Sequence, residues 1–301
     1  MTGRDAIRLV WRPAAAVLLV ALPVLSPAAE QHPHADVPFI PTPPAVVDAM
    51  LELAGVGRED YVIDLGSGDG RIVIAAAKKG GARGTGVEID GALVGAARRE
   101  AQREGVAGRV EFKEQNLFTT DIGHATVVTM YLYPRLMMQL RPRLFAELRP
   151  GTRIVSHDFD MEGWPPDARV TVPVPDKPYG PPSSEVYLWL MPANAAGAWK
   201  WRSPDGAAVV DYELTLLQTF QMLDGQALVG GQPGRLKGGR MRGDQIRLML
   251  TAEAGGRTLR HEFSGRVDGD TIRGTVRLSG GGELEWKATR VKRGNIRISD
   301  E

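Results

Sequence analysis

The chain has 301 residues, of which 43% are apolar and 24% are charged, and this balance excludes a largely disordered or fibrous protein. A formal net charge of +1 gives no sign of the basic surface that nucleic-acid-binding proteins use, so no nucleic-acid partner is expected. Cysteine is absent, which excludes disulfides, thiolate nucleophiles and cysteine-based zinc sites. The length predicts about two domains.

The first residues have the pattern of a secretory signal peptide. Arginines precede an uncharged run over residues 13–29 that ends in small side chains, with a predicted cleavage after Ala28. Pro13 and Pro23 interrupt the run, which disfavours a permanent membrane helix. Residues 1–28 are therefore predicted to direct export to the periplasm or the medium. An uncleaved membrane anchor and a misassigned start codon are the alternatives.

A Pro-rich linker over residues 29–41 leads into an α/β domain that is predicted over residues 42–192. Thr42 before Pro43 and Pro44 is typical of a helix N-cap, and the helix is expected to end near Ala54. Short apolar runs then alternate with amphipathic stretches, which predicts a parallel sheet with helices on both faces. The predicted strands are 61–63, 84–89, 109–113, 125–132 and 153–156, and the predicted helices are 71–79, 91–104 and 134–148. Two more strands, 169–174 and 185–190, have no helix between them and predict an antiparallel edge hairpin.

A second, all-β domain is predicted over residues 197–301. This region holds 18 of the 36 glycines, and its apolar residues alternate with polar ones. The segment Gly239–Arg247 recurs as Gly265–Arg273, and each copy has a Gly-Asp turn, which predicts two hairpins. Six to eight strands in a small sandwich or an up-and-down barrel are expected. A packed structural or docking module is the simpler interpretation, and a ligand-holding lumen is the alternative.

A glycine-rich turn, Asp64-Leu65-Gly66-Ser67-Gly68-Asp69-Gly70, lies between the first predicted strand of the sheet and the helix that follows it. Small residues there let backbone N–H groups and a helix N-terminus approach a ligand. A dinucleotide site needs a third glycine where Arg71 stands. The turn instead resembles motif I of class I S-adenosylmethionine-dependent methyltransferases, in which the loop wraps the amino-acid half of the cofactor. The resemblance implies S-adenosylmethionine as cofactor and cofactor-binding roles for Asp64, Gly66, Ser67, Gly68, Asp69 and Gly70.

Two further cofactor contacts follow from the same resemblance. Glu88 ends the second strand, where a carboxylate can accept hydrogen bonds from both ribose hydroxyls. Asp90 is the nearby alternative, although a helix cap is the simpler role for it. Asn116 follows the third strand, where many relatives carry aspartate. Its carbonyl can accept a bond from the adenine amino group, and a turn residue is the other interpretation.

The resemblance extends to a narrower family. Residues 37–43, 64–73 and 153–156 resemble small lysine methyltransferases that modify the c subunit of mitochondrial ATP synthase, and their bacterial relatives, over about residues 37–165. This implies a Rossmann-like, seven-stranded methyltransferase sheet with an antiparallel edge hairpin. It also implies that the loop before the first helix covers the cofactor, with Phe39 and Thr42 as contacts.

Catalytic candidates lie where ligands bind in such sheets, at the carboxyl ends of the fourth and fifth strands. They are Tyr131, Tyr133, His157, Asp158 and Asp160. Methyl transfer needs alignment, and a nitrogen acceptor must also lose a proton. The two tyrosines line an acceptor channel or simply pack, and His157 is a general base or a histidine satisfied by its neighbours. Only the fifth strand offers carboxylates, so no metal site is expected.

The predicted function is N-methylation of a protein lysine. A lipid or small-molecule acceptor is the second hypothesis, which export or membrane proximity would favour, and a non-catalytic binding module is the third. No Asn/Asp-Pro-Pro-Tyr sequence follows the fourth strand, which argues against adenine-N6 DNA methyltransferases. S-adenosylmethionine is made in the cytosol, so either the leader does not export the domain or the cofactor crosses the membrane.

Overall fold

The computed structural model describes residues 39–178, 180–205, 208–254, 257–278 and 281–299. The predicted signal peptide and most of the Pro-rich linker lie outside these residues. The helices are Pro44–Leu53 (α1), Arg71–Gly80 (α2), Gly91–Arg103 (α3) and Pro134–Glu147 (α4). The strands of the first sheet are Tyr61–Leu65 (β1), Arg83–Glu88 (β2), Val110–Glu114 (β3), Val127–Met130 (β4), Arg153–His157 (β5), Ala168–Pro173 (β6) and Ser183–Leu190 (β7). Within the described ranges, no helix is both long enough and apolar enough to cross a membrane.

The first sheet has seven strands in the order β3-β2-β1-β4-β5-β7-β6. Strands β1 to β5 run parallel to one another, whereas β7 runs antiparallel to both β5 and β6. The predicted Rossmann-like sheet with an edge hairpin is therefore confirmed. The strand order reverses between β1 and β4, which places a ligand crevice at the carboxyl ends of these strands.

The start of α1 differs from the sequence prediction. Proline is well placed in the first turn of a helix, where its missing N–H would be unsatisfied anyway, and α1 begins at Pro44 with Pro43 as N-cap. The predicted N-cap role of Thr42 is therefore wrong, and its hydroxyl is available for another contact. Val46 and Met50 lie one turn apart and bury the inner face of the helix.

The second sheet closes into a barrel. Its strands are Gly197–Asp205 (β8), Ala208–Thr219 (β9), Met222–Val229 (β10), Gln232–Arg242 (β11), Gln245–Ala254 (β12), Arg257–Asp268 (β13), Thr271–Arg277 (β14), Glu283–Arg293 (β15) and Ile296–Arg297 (β16). Strands β8 to β15 form an antiparallel barrel of 8 strands, because β9 also pairs with β10 and β15 pairs with β8, while β16 adds to β9. The barrel alternative is therefore confirmed over the sandwich. Gly243 and Gly269 have φ of 60° and 55°, as the predicted turns from β11 to β12 and from β13 to β14 require.

One end of the barrel contacts the region of the first sheet through its turns. Gln221, in the β9–β10 turn, donates from Nε2 to the Pro165 carbonyl at 2.5 Å. The neighbouring Phe220 ring stacks on Trp164 with centroids 5.8 Å apart. In the β11–β12 turn, the Gly243 carbonyl accepts from Ala193 N at 2.8 Å. At the other end, which we call the outer end, β8, β10, β12 and β14 finish and β9, β11, β13 and β15 begin.

Candidate active site

The glycine-rich loop after β1 is held by the neighbouring strand. Gly66, Gly68 and Gly70 have φ of 79°, 53° and 80°, in the left-handed region that side chains disfavour. Gly66 N and Ser67 N both donate to the Val87 carbonyl at 2.9 Å. The loop is thereby fixed across the carboxyl end of β2, and Gly70 becomes the N-cap of α2.

The loop leaves no room for extra side-chain atoms. A Cβ atom at Gly68 would overlap the Phe39 ring, and one at Gly86 would lie 2.6 Å from Ser67 Oγ. Ser67 Oγ is buried and has no hydrogen-bond partner among the described residues. A tight backbone cradle with an unpaired hydroxyl fits the polar amino-acid half of S-adenosylmethionine.

Asp64 is a buried carboxyl group at the end of β1. Only 1% of the residue is exposed, and Thr129 Oγ1 donates to its Oδ1 at 2.7 Å. Burial raises the pKa of Asp64 to about 7, against the lowering effect of the Thr129 hydrogen bond, and the negative charges of Glu88 and Asp69 raise it further. A cation bound nearby would favour the ionised form of this group.

Glu88 already accepts three backbone hydrogen bonds. Its Oε2 accepts from Gly68 N at 3.0 Å, and its Oε1 accepts from Ile89 N at 2.7 Å and Asp90 N at 3.1 Å. A carboxylate has about four acceptor positions, so accepting both ribose hydroxyls would require one of these bonds to break. Asp90 caps α3 by accepting from Ala92 N at 2.8 Å, the simpler of the roles expected for it.

Asn116, which is expected near the adenine, and Asp69, which precedes α2, each bond to another residue of the protein. Asn116 Oδ1 accepts from Phe118 N at 2.8 Å and caps a single 3₁₀ turn, so one carbonyl lone pair is left for a second donor. Asp69 forms an ion pair with Arg71, with its Oδ1 2.9 Å from Arg71 Nε. Arg71 Nη1 also donates to the Thr42 carbonyl at 2.9 Å, which ties the loop before α1 to the glycine-rich loop. The sequence does not reveal this role of Arg71 beyond its position directly after the motif.

His157 is enclosed at the end of β5. The Thr42 Oγ1 lies 3.2 Å from its Nδ1 and the Ser184 Oγ lies 2.9 Å from its Nε2, and 1% of the residue is exposed. Burial lowers the pKa of His157 to about 4, the Asp158 charge raises it and the Lys177 charge lowers it. Because both ring nitrogens are engaged and the ring is weakly basic, the geometry argues against His157 as a general base. Its contacts instead hold Thr42, and with it the loop that carries Phe39.

A buried ion pair lies directly after His157. Lys177 Nζ is 2.6 Å from Asp158 Oδ2 and 2.9 Å from the Ser183 carbonyl, and 6% of the Lys177 side chain is exposed. Asp158 has a φ of 60°, a strained value for a residue other than glycine. The pair thus holds a sharp turn at the carboxyl end of β5. Sequence reasoning missed Lys177, because it lies in the irregular connection between the edge strands.

Three aromatic rings lie together beyond β4 and β5. The Tyr131 ring centroid is 3.9 Å from that of His157 and 6.1 Å from that of Phe159, and the Tyr133 centroid is also 6.1 Å from Phe159. Tyr133 is 42% exposed. We call Tyr131, Tyr133 and Phe159 the aromatic face. The predicted tyrosines are therefore together, and Phe159 joins them although sequence reasoning did not select it. Asp160, on the same loop, is exposed and accepts from Glu162 N at 3.2 Å.

Comparison with known proteins finds methyltransferases. A family model described as "ANTKMT methyltransferase domain" matches residues 64–168. A protein-lysine N-methyltransferase of Saccharolobus islandicus is 44% identical over 160 residues, which are 53% of this chain and 95% of that relative. The human lysine N-methyltransferase of the ATP synthase c subunit is 35% identical over 152 residues, 50% of this chain and 63% of that relative. A solved structure, described as an RNA methyltransferase from Salinibacter ruber in complex with S-adenosyl-L-homocysteine, is 53% identical and covers 51% of this chain and 94% of its own, with a TM-score of 0.47.

Proposed function

The chain belongs to the ANTKMT family of S-adenosylmethionine-dependent methyltransferases, and on this premise we propose that it methylates the ε-amino group of a lysine in a protein. The observation that carries the proposal is the 44% identity to a protein-lysine N-methyltransferase across 95% of that relative's length. The matched part covers 53% of this chain, so the proposal concerns the sheet domain.

The residues of the first sheet would hold the cofactor at the switch between β1 and β4. The glycine-rich loop presents backbone N–H groups and the Ser67 hydroxyl, and Glu88 and Asn116 extend the site toward the sugar and the base. When bound, S-adenosylmethionine supplies an electrophilic methyl group on a sulfonium. Asp64 provides a carboxyl group whose ionised form such a positive charge would favour.

The loop before α1 excludes water and aligns the reactants. Phe39 covers Gly68, and the loop is held at Thr42 by Arg71 from one side and His157 from the other. Holding two reactants in line and away from water supplies much of the rate of a displacement reaction. We assign His157 a positioning role, through Thr42, rather than one in proton transfer.

The aromatic face is the proposed acceptor surface. Electron-rich ring faces attract alkylammonium groups, which suits the approach of a lysine side chain. The exposed edge at Tyr133 opens to solvent, so we propose that the lysine releases its proton to water there before attack.

The acceptor is tested by methyl transfer from labelled S-adenosylmethionine. The full chain is incubated with a host cell extract, which is then separated into protein, lipid, RNA and small-molecule fractions, and protein label is mapped by mass spectrometry. We expect label on lysine, present with Asp90→Ala and lost with Glu88→Ala. Label confined to lipid, RNA or small molecules would contradict the lysine proposal, and cofactor binding without any product would favour a non-catalytic module.

We also propose that residues 1–28 act as an export signal, on the basis of the pattern in the sequence. An alkaline phosphatase fusion, active only outside the cytoplasm, and N-terminal sequencing of the mature protein test this. Activity of the fusion and a mature N-terminus after Ala28 are expected, and an intact N-terminus with an inactive fusion would contradict it.

A further inference from the structure

The half of the barrel nearer the outer end, which we call the outer half, contains buried polar groups that have no partner among the described residues. Trp201 and Ser203 on β8 and Trp286 on β15 are 6%, 2% and 2% exposed, and the indole Nε1 atoms and the Ser203 Oγ have no hydrogen-bond partner within the described part of the chain. Among the other buried tryptophans, Trp199 donates to the Ala195 carbonyl and Trp189 to the Trp164 carbonyl, each at 2.8 Å, whereas the Trp164 Nε1 has no partner within the described residues. A buried donor that makes no hydrogen bond destabilises the folded protein.

These groups share the barrel interior. The Trp201 ring centroid is 5.7 Å from that of Trp286, and both rings contact Phe263, at 5.3 Å and 4.9 Å. Ser203 lies two residues beyond Trp201 toward the outer end, and side chains two apart on a strand point to the same face. Two N–H donors and one hydroxyl therefore face one interior region.

The facing wall is lined by small residues. Ala227, Gly234 and Ala252 are paired in register across β10, β11 and β12. In the closed order of the strands, β11 and β12 lie opposite β15 and β8. A Cβ atom at Gly234 would meet its neighbours only at 3.4 Å or more, an ordinary contact distance. The wall opposite the donors therefore has only short side chains at these positions.

The surroundings select the kind of molecule that fits. The half-buried residues packed against this core are aliphatic, among them Val210, Leu259 and Leu284. Arg290 is the one buried Lys or Arg in the barrel's described residues, and it bonds the Gly269 carbonyl in a turn at the opposite end. His261 is the other buried basic residue described in the barrel, and its Nδ1 lies 2.8 Å from the Tyr212 hydroxyl. With no Lys or Arg described beside the donors, a charged carboxylate would be costly to bury. An aliphatic chain with an uncharged acceptor oxygen suits the region.

We propose that the outer half of the barrel binds an uncharged aliphatic carbonyl compound, a ketone or ester, whose oxygen accepts hydrogen bonds from Trp201, Ser203 and Trp286. This site is separate from the methyl-transfer site and does not depend on the acceptor proposed above.

The test titrates the full chain with 2-hexanone, hexane and hexanoate at pH 7 by calorimetry. We expect saturable binding of the ketone, about tenfold tighter than that of hexane, since about 1.4 kcal/mol from the hydrogen bonds corresponds to a factor of ten. Hexanoate is expected to bind at least as weakly as hexane. With 2-hexanone labelled with ¹³C at the carbonyl, binding should move the carbonyl signal downfield, as hydrogen bonding requires.

Two variants and a matched control locate the site. Ser203→Ala should weaken ketone binding several-fold without weakening that of hexane, and Ala252→Phe should abolish both by filling the interior. Arg202→Ala changes the outward, exposed neighbour of Ser203 and should leave both unchanged. Melting temperatures establish that each variant is folded, and Ser203→Ala decides the question if Ala252→Phe is not. No saturable ketone binding, equal affinity for hexane, or an unaffected Ser203→Ala would overturn the proposal and indicate that the indole N–H groups are satisfied by neighbouring ring faces.

Discussion

The region of the first sheet and the barrel place their ionisable groups in different ways. In the region of the first sheet, Asp64, His157 and the Asp158–Lys177 pair are buried or nearly so. Asp64, His157 and Asp158 lie at the carboxyl ends of β1 and β5. In the barrel, the ion pairs lie mostly on the outside, as between Lys200 and Glu213, and the interior is mainly aromatic and aliphatic, with His261 and Arg290 as buried basic residues. Buried charge costs folding energy unless it is paired, and it is the feature expected where chemistry is done. The first sheet thus gathers buried ionisable groups at the edge where ligands bind, whereas the barrel keeps most of its charged groups exposed.

The largest effect on the free energy of unfolding is expected from a substitution at Lys177. Lys177→Met leaves the buried Asp158 charge without its partner and should lower the free energy of unfolding by about 3–5 kcal/mol. The matched barrel variant Lys200→Met removes an exposed ion pair and should cost at most about 1 kcal/mol. Denaturant titrations of both variants measure this. Adding Asp158→Asn to Lys177→Met should restore part of the loss, and equal effects of the two lysine variants would contradict the contrast.

The next largest effect is the pH dependence at Asp64. Its pKa is raised from 3.8 to about 7 in the folded protein, so between these values the folded state keeps a proton that the unfolded state has lost. The contribution of Asp64 to stability therefore falls as the pH rises from about 4 to 7, and is level above 7. Asp64→Asn does not titrate, so its stability relative to the natural protein should rise by roughly 4 kcal/mol over that window. Unfolding at pH 4, 5.5, 7 and 8 measures the difference, and a difference that stays constant would contradict the raised pKa.

A smaller effect, on cofactor affinity, distinguishes the close contact between Gly68 and Phe39 from backbone strain at a glycine. Gly68→Ala should displace Phe39 and weaken S-adenosylmethionine binding about tenfold, which corresponds to about 1.4 kcal/mol. Gly55→Ala provides the control, because Gly55 has a similar φ of 59° with nothing within 4 Å of an added Cβ. Each variant should lose about 1 kcal/mol of stability through the left-handed conformation. Cofactor affinity is measured by calorimetric titration. Equal affinity of both variants would contradict a role for the contact between Phe39 and Gly68 in cofactor binding.

The smallest expected effect concerns Asp90. Asp90→Ala removes the N-cap of α3 and should cost about 1 kcal/mol of stability. Cofactor affinity should change less than about twofold, since the carboxylate is already bonded to Ala92 N and Leu93 N. Thermal unfolding and calorimetry measure the two quantities. A large loss of affinity at intact stability would show that Asp90, rather than Glu88, holds the ribose.

The sheet order, the edge hairpin and the glycine-rich loop could be predicted because each depends on local pattern. Apolar strands alternate with amphipathic helices, and Gly66, Gly68 and Gly70 take conformations that favour glycine. Roles that depend on distant partners could not be predicted. Thr42 and His157 are 115 residues apart, so no local signal shows that they bond each other, and His157 looks like a free base until its burial is known. The closure of the barrel likewise depends on the pairing of β15 with β8, which the sequence does not display.

The central claim is that the loop from Asp64 to Gly70, braced by Glu88, is the S-adenosylmethionine site. Calorimetric titration of S-adenosylmethionine into the natural protein, Glu88→Ala and Asp90→Ala tests it most directly. We predict that Glu88→Ala loses at least about tenfold in affinity, because both the loop brace at Gly68 N and the carboxylate for the ribose are removed, whereas Asp90→Ala binds as the natural protein does. Unchanged affinity in a folded Glu88→Ala variant would contradict the assignment.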